Sequence, residues 1–208
     1  MIATKQKENW VISNNPEQLE RIHDADRNIA IWNRNIDHLN EEINRLLREE
    51  VDLRISGDFQ TLTTKLRDAM PSDRSNLLLA DIISLIQHFT EISQTHSVKL
   101  FLGAINSNMC RRFHTDVNDL RMLCTYSGPG TLWLPEDNVN RKALNSCGTN
   151  GSIFRNENRI RQAETGSVVI LKGSTYPTLE TAGAVHRSPT IEESGKKRLL
   201  FRLDTNNF

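Results

Sequence analysis

His114 and Asp116 stand two residues apart in the string RRFHTDVNDLRMLCTY, at the start of an alternating apolar run. On an extended chain, residues i and i+2 project from one face, so this spacing aims an imidazole and a carboxylate at a common point. A second imidazole, His186, follows much later in GAVHRSP, between two turn-like stretches. Two histidines and one carboxylate on one side of an ion make the facial set of non-haem Fe(II) sites, which leaves coordination positions open. Open positions let one ion hold a chelating co-substrate together with dioxygen, whereas a closed structural zinc site offers none. The H-x-D tripeptide alone is also met as a surface His–Asp hydrogen bond, so its surroundings decide its meaning.

Those surroundings supply a cation. Lys196, Lys197 and Arg198 open the final apolar run, about a dozen residues beyond His186. A carboxylate co-substrate chelated at the metal needs a counter-charge there, and the arginine fork grips a carboxylate bidentately. Arg198, Leu200 and Arg202 share one strand face while Leu199, Phe201 and Leu203 share the other. Parity therefore cannot separate the two arginines; spacing favours Arg198, with Arg202 and Lys197 as the other candidates. Tyr126 continues the alternation of His114 and Asp116 if no bulge intervenes, and its hydroxyl can donate to a bound carboxylate; a core tyrosine is the plainer role. Arg111 and Arg112 flank the pair, either as solvated residues or as steering charges for an acidic substrate. Cys110 precedes the run and is not expected to ligate. His23, His38, His88 and His96 lack partners at metal spacing, and Trp32 and Trp133 read as core.

The elements that must position these groups change character along the chain. Residues 1–15 show no consistent pattern and are expected to form a loose arm. Asn15-Pro16 signals a short helix reaching about residue 24. A strand follows over 28–32, then a helix capped by Asp37 with Leu39, Ile43, Leu46 and Leu47 on one face. Val51, Leu53 and Ile55 alternate as a strand, residues 59–70 read as helical, and the strongest helix follows Pro71, with Leu78, Ile82, Leu85 and Phe89 in one stripe. From Val98 onward, short β-rich runs (VKLFL, DLRMLCTY, TLWL, SVVILKG and RLLFRLD) alternate with Gly- and Asn-rich turns. The pattern predicts an α+β chain: a mainly helical region over 16–97 supporting a β core over 98–208, built as a sandwich or jelly roll and forming one unit.

Composition excludes several classes. The 208 residues carry 26 basic and 26 acidic side chains, so no whole-protein field draws the chain to nucleic acid or anionic lipid. No apolar run approaches the roughly 20 residues that span a bilayer, and the N-terminal lysines precede no apolar signal segment. Three widely spaced cysteines, Cys110, Cys124 and Cys147, fit reduced thiols in a cytoplasmic protein. The expected partner is a small-molecule or peptide substrate of unknown identity.

The order of motifs resembles the iron- and 2-oxoglutarate-dependent dioxygenases, most closely their prolyl-hydroxylase-like branch. The matching pieces are His114-Thr115-Asp116, Gly128-Pro129-Gly130-Thr131-Leu132-Trp133, residues 166–173, His186-Arg187-Ser188-Pro189 and residues 195–198. This resemblance implies a double-stranded β-helix (jelly roll) over about residues 98–204. It also implies Fe(II) on His114, Asp116 and His186, with 2-oxoglutarate held by Arg198. The wording NIAIWNR, CRRFHTDVNDLRMLCTYSGPGTLWL and HRSP resembles a bacterial family, domain-of-unknown-function family 1826, over about residues 16–204. Two other functions use the same ligands: a zinc-handling or metal-sensing jelly roll, and a cupin-like enzyme that works without 2-oxoglutarate. Zinc suits these donors, and the affinity order of divalent ions favours it over iron.

Overall fold

A computed structural model describes residues 8–70, 76–144, 146, 148–177 and 181–205. Pro71 and Cys147 lie outside these. The elements run in the order β1 (Trp10–Ser13), a 3-10 helix (Pro16–His23), β2 (Ile29–Trp32), α1 (Asn40–Arg48), β3 (Asp52–Gly57), α2 (Phe59–Ala69) and α3 (Leu77–Ser93). There follow β4 (Val98–Ile105), β5 (Leu120–Ser127), β6 (Leu132–Trp133), α4 (Arg141–Leu144), β7 (Arg161–Gln162), β8 (Val168–Lys172), β9 (His186–Arg187) and β10 (Arg198–Thr205). No helix among the described residues is long and apolar enough to cross a membrane.

Of the two predicted caps, Asn15 holds and Asp37 fails, and two further helices are capped in the same way. Asn15 accepts from the Glu17 amide, Asp58 from Thr61 and Asn76 from Leu79, each satisfying an amide that the first helical turn leaves free. Asp37 does not cap α1. It lies within a 3-10 turn, Asp37–Leu39, that precedes the helix, and its own amide is taken by the Asn35 side chain. The buried face of α1 is nevertheless the expected one, with Leu39, Ile43 and Leu46 inside.

Seven strands form one large sheet in the order β1-β2-β8-β5-β10-β4-β3, antiparallel except for the parallel β1/β2 pair. Residues 10–13, expected in a loose arm, thus pair with β2; residues 1–7 lie outside the described residues. The expected arm supplies β1, and the region expected to be mainly helical supplies two of the seven strands, β2 and β3, where strands were expected. Its helices still do what their stripes require. Leu78, Ile82, Leu85 and Phe89 of α3 pack with Leu102, Met122, Phe201 and Leu203 on one face of the sheet.

The other face packs against a three-stranded sheet, β7-β6-β9, through Phe101, Leu123, Trp133, Val169 and Leu200. Central strands are therefore covered on both sides, which is why β8 and β10 read as nearly continuous apolar runs. Two facing sheets with helices behind the larger one give the expected α+β jelly roll. Because Leu85 is 1% exposed, Leu85→Ala should lower unfolding free energy by about 2 to 5 kcal/mol, read from the denaturation midpoint at unchanged m-value.

Candidate metal centre

The triad is assembled by a contact that joins distant parts of the chain. His114 and His186 form an antiparallel bridge, each donating its amide to the other's carbonyl at 3.0 Å. His186 lies in β9, whose other neighbour is β6, with Trp133 directly opposite. The two imidazoles stand 4.7 Å apart between ring centroids. Asp116 sits beyond the bridge, just before a bend over 117–119, and its carbonyl accepts from the Ser174 amide at 2.8 Å. Gly173 and Gly183 make this approach possible, since a Cβ would lie 2.0 Å from the Asn118 carbonyl at the first and 2.4 Å from the Thr115 methyl at the second.

Within this frame the ligand atoms converge. Nε2 of His114 is 3.4 Å from Oδ1 of Asp116, and Nε2 of His186 is 3.2 Å from Oδ2. One atom from each of the three residues can be chosen so that all lie within 4.8 Å of one another. Nδ1 of His114 lies 2.9 Å from the Arg112 carbonyl, and Nδ1 of His186 is 3.3 Å from that of Ala184. A carbonyl only accepts, so each Nδ1 carries the proton and, in the neutral ring, each Nε2 presents a lone pair. Two lone pairs and a carboxylate then meet at close range, an arrangement that a shared cation stabilises. The buried Oδ2 of Asp116 has no hydrogen-bond partner. Its Oδ1 accepts from Arg121 at 2.6 Å. The donor set and this orphaned oxygen fit a divalent ion of the facial-triad kind.

The surrounding cations keep the carboxylate ionised. Burial alone would raise the Asp116 carboxyl, but His114, His186 and Arg121 together hold it well below the usual carboxylate range. His114 is raised above its ordinary value, chiefly by the Asp116 hydrogen bond. Arg121 extends from Asp116 to Asp204 (2.5 Å), which also accepts from Asn118 at 3.0 Å and pairs with Arg202 at 3.0 Å. The ligand carboxylate is thus anchored through Arg121 to β10.

His114, His186, Arg121, Arg198 and Arg202 line one cavity. Arg198 is 2% exposed and donates to the Thr125 hydroxyl at 2.9 Å and the Thr131 hydroxyl at 3.1 Å. Its Nε is buried without a partner, and burial pulls its pKa down to about 10. Among the described residues no carboxylate pairs with it. Lys197 points elsewhere, 3.0 Å from Glu50 at the surface.

Tyr126 is a correction. Its hydroxyl donates to Asp81 of α3 at 2.6 Å, and its ring belongs to the helix-side core. Burial pushes the phenol well above its ordinary value. The alternation failed because His114 and Asp116 precede the strand; the chain bends over residues 117–119 before β5 begins at Leu120. In β5 it is Leu123 and Thr125 that face the site, in phase with Arg121. A bulge between Leu199 and Leu200 also leaves Tyr126 without a register partner on β10.

Arg111 is tied to Glu192 at 2.8 Å, and Arg112 donates to the carbonyls of Ala143 and Leu144. Cys110 is exposed and borders the cavity, whereas Cys124 is buried near Arg34. The other described histidines join no three-residue ligand group. Sequence reasoning missed Arg121, Asp204 and Thr125. Their signal was strand parity counted from Leu123 and Leu200, usable only once β5 and β10 are known to be adjacent.

Fold and triad together define a jelly-roll protein with a His-Asp-His group that resembles a facial triad. The fold is that of a prolyl-4-hydroxylase from Pseudomonas putida, with TM-score 0.51 at 10% identity, covering 93% of this chain and 94% of that one. The dioxygenase for auxin oxidation 1 from Arabidopsis thaliana, solved with 2-oxoglutarate, aligns at TM-score 0.49 and 8% identity over 94% of this chain and 91% of that one. The model of the family described as protein of unknown function (DUF1826) matches residues 13–204, and the chain belongs to that family. Among functionally curated proteins, none matches it.

Proposed function

We propose that this protein is a non-haem Fe(II)- and 2-oxoglutarate-dependent oxygenase. The observation that carries this reading is Arg198: a guanidinium buried without a carboxylate partner among the described residues, in the cavity that the two ligand histidines line. A buried charge without a counter-ion is costly, so such a site favours an anionic ligand.

His114, Asp116 and His186 would hold the ion, using both Nε2 atoms and Oδ2 of Asp116. The backbone carbonyls of Arg112 and Ala184 keep the imidazoles in the ligating tautomer, and Arg121 fixes the carboxylate rotamer. Arg198 would receive the distal carboxylate of 2-oxoglutarate, with the hydroxyls of Thr125 and Thr131 orienting its fork. Leu123 and Leu200 give the cavity an apolar wall. Iron with 2-oxoglutarate supplies oxidation of an unactivated C–H bond by dioxygen, the keto acid leaving as succinate and carbon dioxide.

The test is succinate formation by anaerobically iron-loaded protein after admission of air, with and without candidate substrates. Slow turnover of 2-oxoglutarate without substrate is the expected result. Metal-loaded protein that neither binds nor consumes 2-oxoglutarate would leave a metal-binding jelly roll of another kind.

A further inference from the structure

Arg202 is the guanidinium in the metal cavity that neither the triad nor the co-substrate requires. It lies on the same face of β10 as Arg198, two alternations nearer the Asp116–Arg121 end, with Leu200 between them. Its side chain is 27% exposed, so it reaches solvent where Arg198 does not. Its Nε pairs with Oδ2 of Asp204 at 3.0 Å, and its guanidinium carbon lies 5.4 Å from the centre of the Phe101 ring. Asp204 is shared: it also receives Arg121 at 2.5 Å and Asn118 at 3.0 Å. Asp204 thus answers two guanidiniums with a single negative charge, Arg202 through Oδ2 and Arg121 through Oδ1. Arg54, from the neighbouring β3, stacks on the same Phe101 ring at 4.7 Å and extends the positive rim, with Asp52 beside it.

The charge balance of the cavity sharpens this. Arg121, Arg198 and Arg202 face Asp116 and Asp204. A divalent ion and dianionic 2-oxoglutarate would cancel each other, so one positive charge is left over, and the solvent-reaching member of the set is Arg202. In a partly desolvated cavity such an excess selects ligands of opposite charge.

We infer that the substrate carries an anionic group, a carboxylate or a phosphate, and that Arg202 receives it at the cavity mouth. This rests on the oxygenase reading for the identity of the metal and co-substrate, but the anion site itself is a property of Arg202 and the bound ion. A guanidinium–anion contact is charge-assisted, so losing it should weaken binding by about ten- to a hundredfold.

The experiment uses the full chain loaded with Mn(II), which broadens proton NMR lines of molecules held near it. The probes are butyrate, butyl phosphate and the uncharged butyramide, each titrated with saturating 2-oxoglutarate present. Wild type should broaden one or both anions far more strongly than butyramide, and the preferred anion tells carboxylate from phosphate. Arg202→Gln should lose that preference while keeping Mn(II) and 2-oxoglutarate affinity, both measured by calorimetry. Equal broadening of anions and amide in wild type would overturn the inference, as would an unchanged preference in Arg202→Gln. Loss of 2-oxoglutarate affinity in Arg202→Gln would also overturn it, by assigning that residue to the co-substrate and leaving the oxygenase reading intact. If wild type fails to bind 2-oxoglutarate, the oxygenase reading falls; the same contrast on Mn(II)-loaded protein alone then still decides whether Arg202 makes an anion site.

Discussion

His186→Ala should abolish stoichiometric binding of Fe(II) or Mn(II), and so should Asp116→Ala and His114→Ala. Each removes one of three ligating atoms rather than an outer partner, so affinity should fall by more than the about 10- to 100-fold that loss of an outer partner costs. The three variants are not equally clean. The His186 and Asp116 side chains are only 5% and 11% exposed, and Asp116→Ala also strips Arg121 of a partner. The His114 side chain is 32% exposed, so His114→Ala should leave the fold least disturbed and serves as the reference. The measurement is metal content after anaerobic loading and desalting, beside a thermal melt that verifies folding. Full occupancy in any folded variant would remove that residue from the site.

Arg198→Ala should separate co-substrate binding from metal binding. Its guanidinium contacts hydroxyls of Thr125 and Thr131 and no metal ligand, so Fe(II) or Mn(II) affinity should be unchanged. The distal carboxylate of 2-oxoglutarate, by contrast, would be left unpaired in a closed cavity. Truncating one partner of a buried ion pair costs about 2 to 5 kcal/mol. Affinity for 2-oxoglutarate should therefore fall by about one and a half to four decades. Arg198→Lys should recover part of the loss, because an ammonium restores the charge and not the planar fork. Calorimetric titration of 2-oxoglutarate into metal-loaded wild type and variants reads this directly. Equal affinity in wild type and Arg198→Ala would take the co-substrate role away from Arg198.

Much of the local structure was legible because it is encoded at short range. The stripe of Leu78, Ile82, Leu85 and Phe89 is buried as its spacing demands, and Asn15 caps its helix as its type suggests. The β-branched runs after Val98 became the central strands. Residue type and order singled out His114, Asp116 and His186 as a candidate ligand set, and the structure brings these three side chains together.

Tertiary structure alone decided which strands are neighbours. Periodicity reports the face of an element and says nothing of its partner, so β1, β2 and β3 gave no sign of joining the sheet built from β4, β5, β8 and β10. Phase is also lost wherever the chain leaves the strand: the bend after Asp116 turned Tyr126 towards Asp81 and brought Arg121 under the ligand carboxylate. Arg198 and Arg202 have the same parity, and only burial and the position of Asp204 distinguish the enclosed cation from the one at the mouth. The order of residues named the donors of the site, whereas the bridge between His114 and His186, a long-range pairing that no local pattern encodes, brought them to one point.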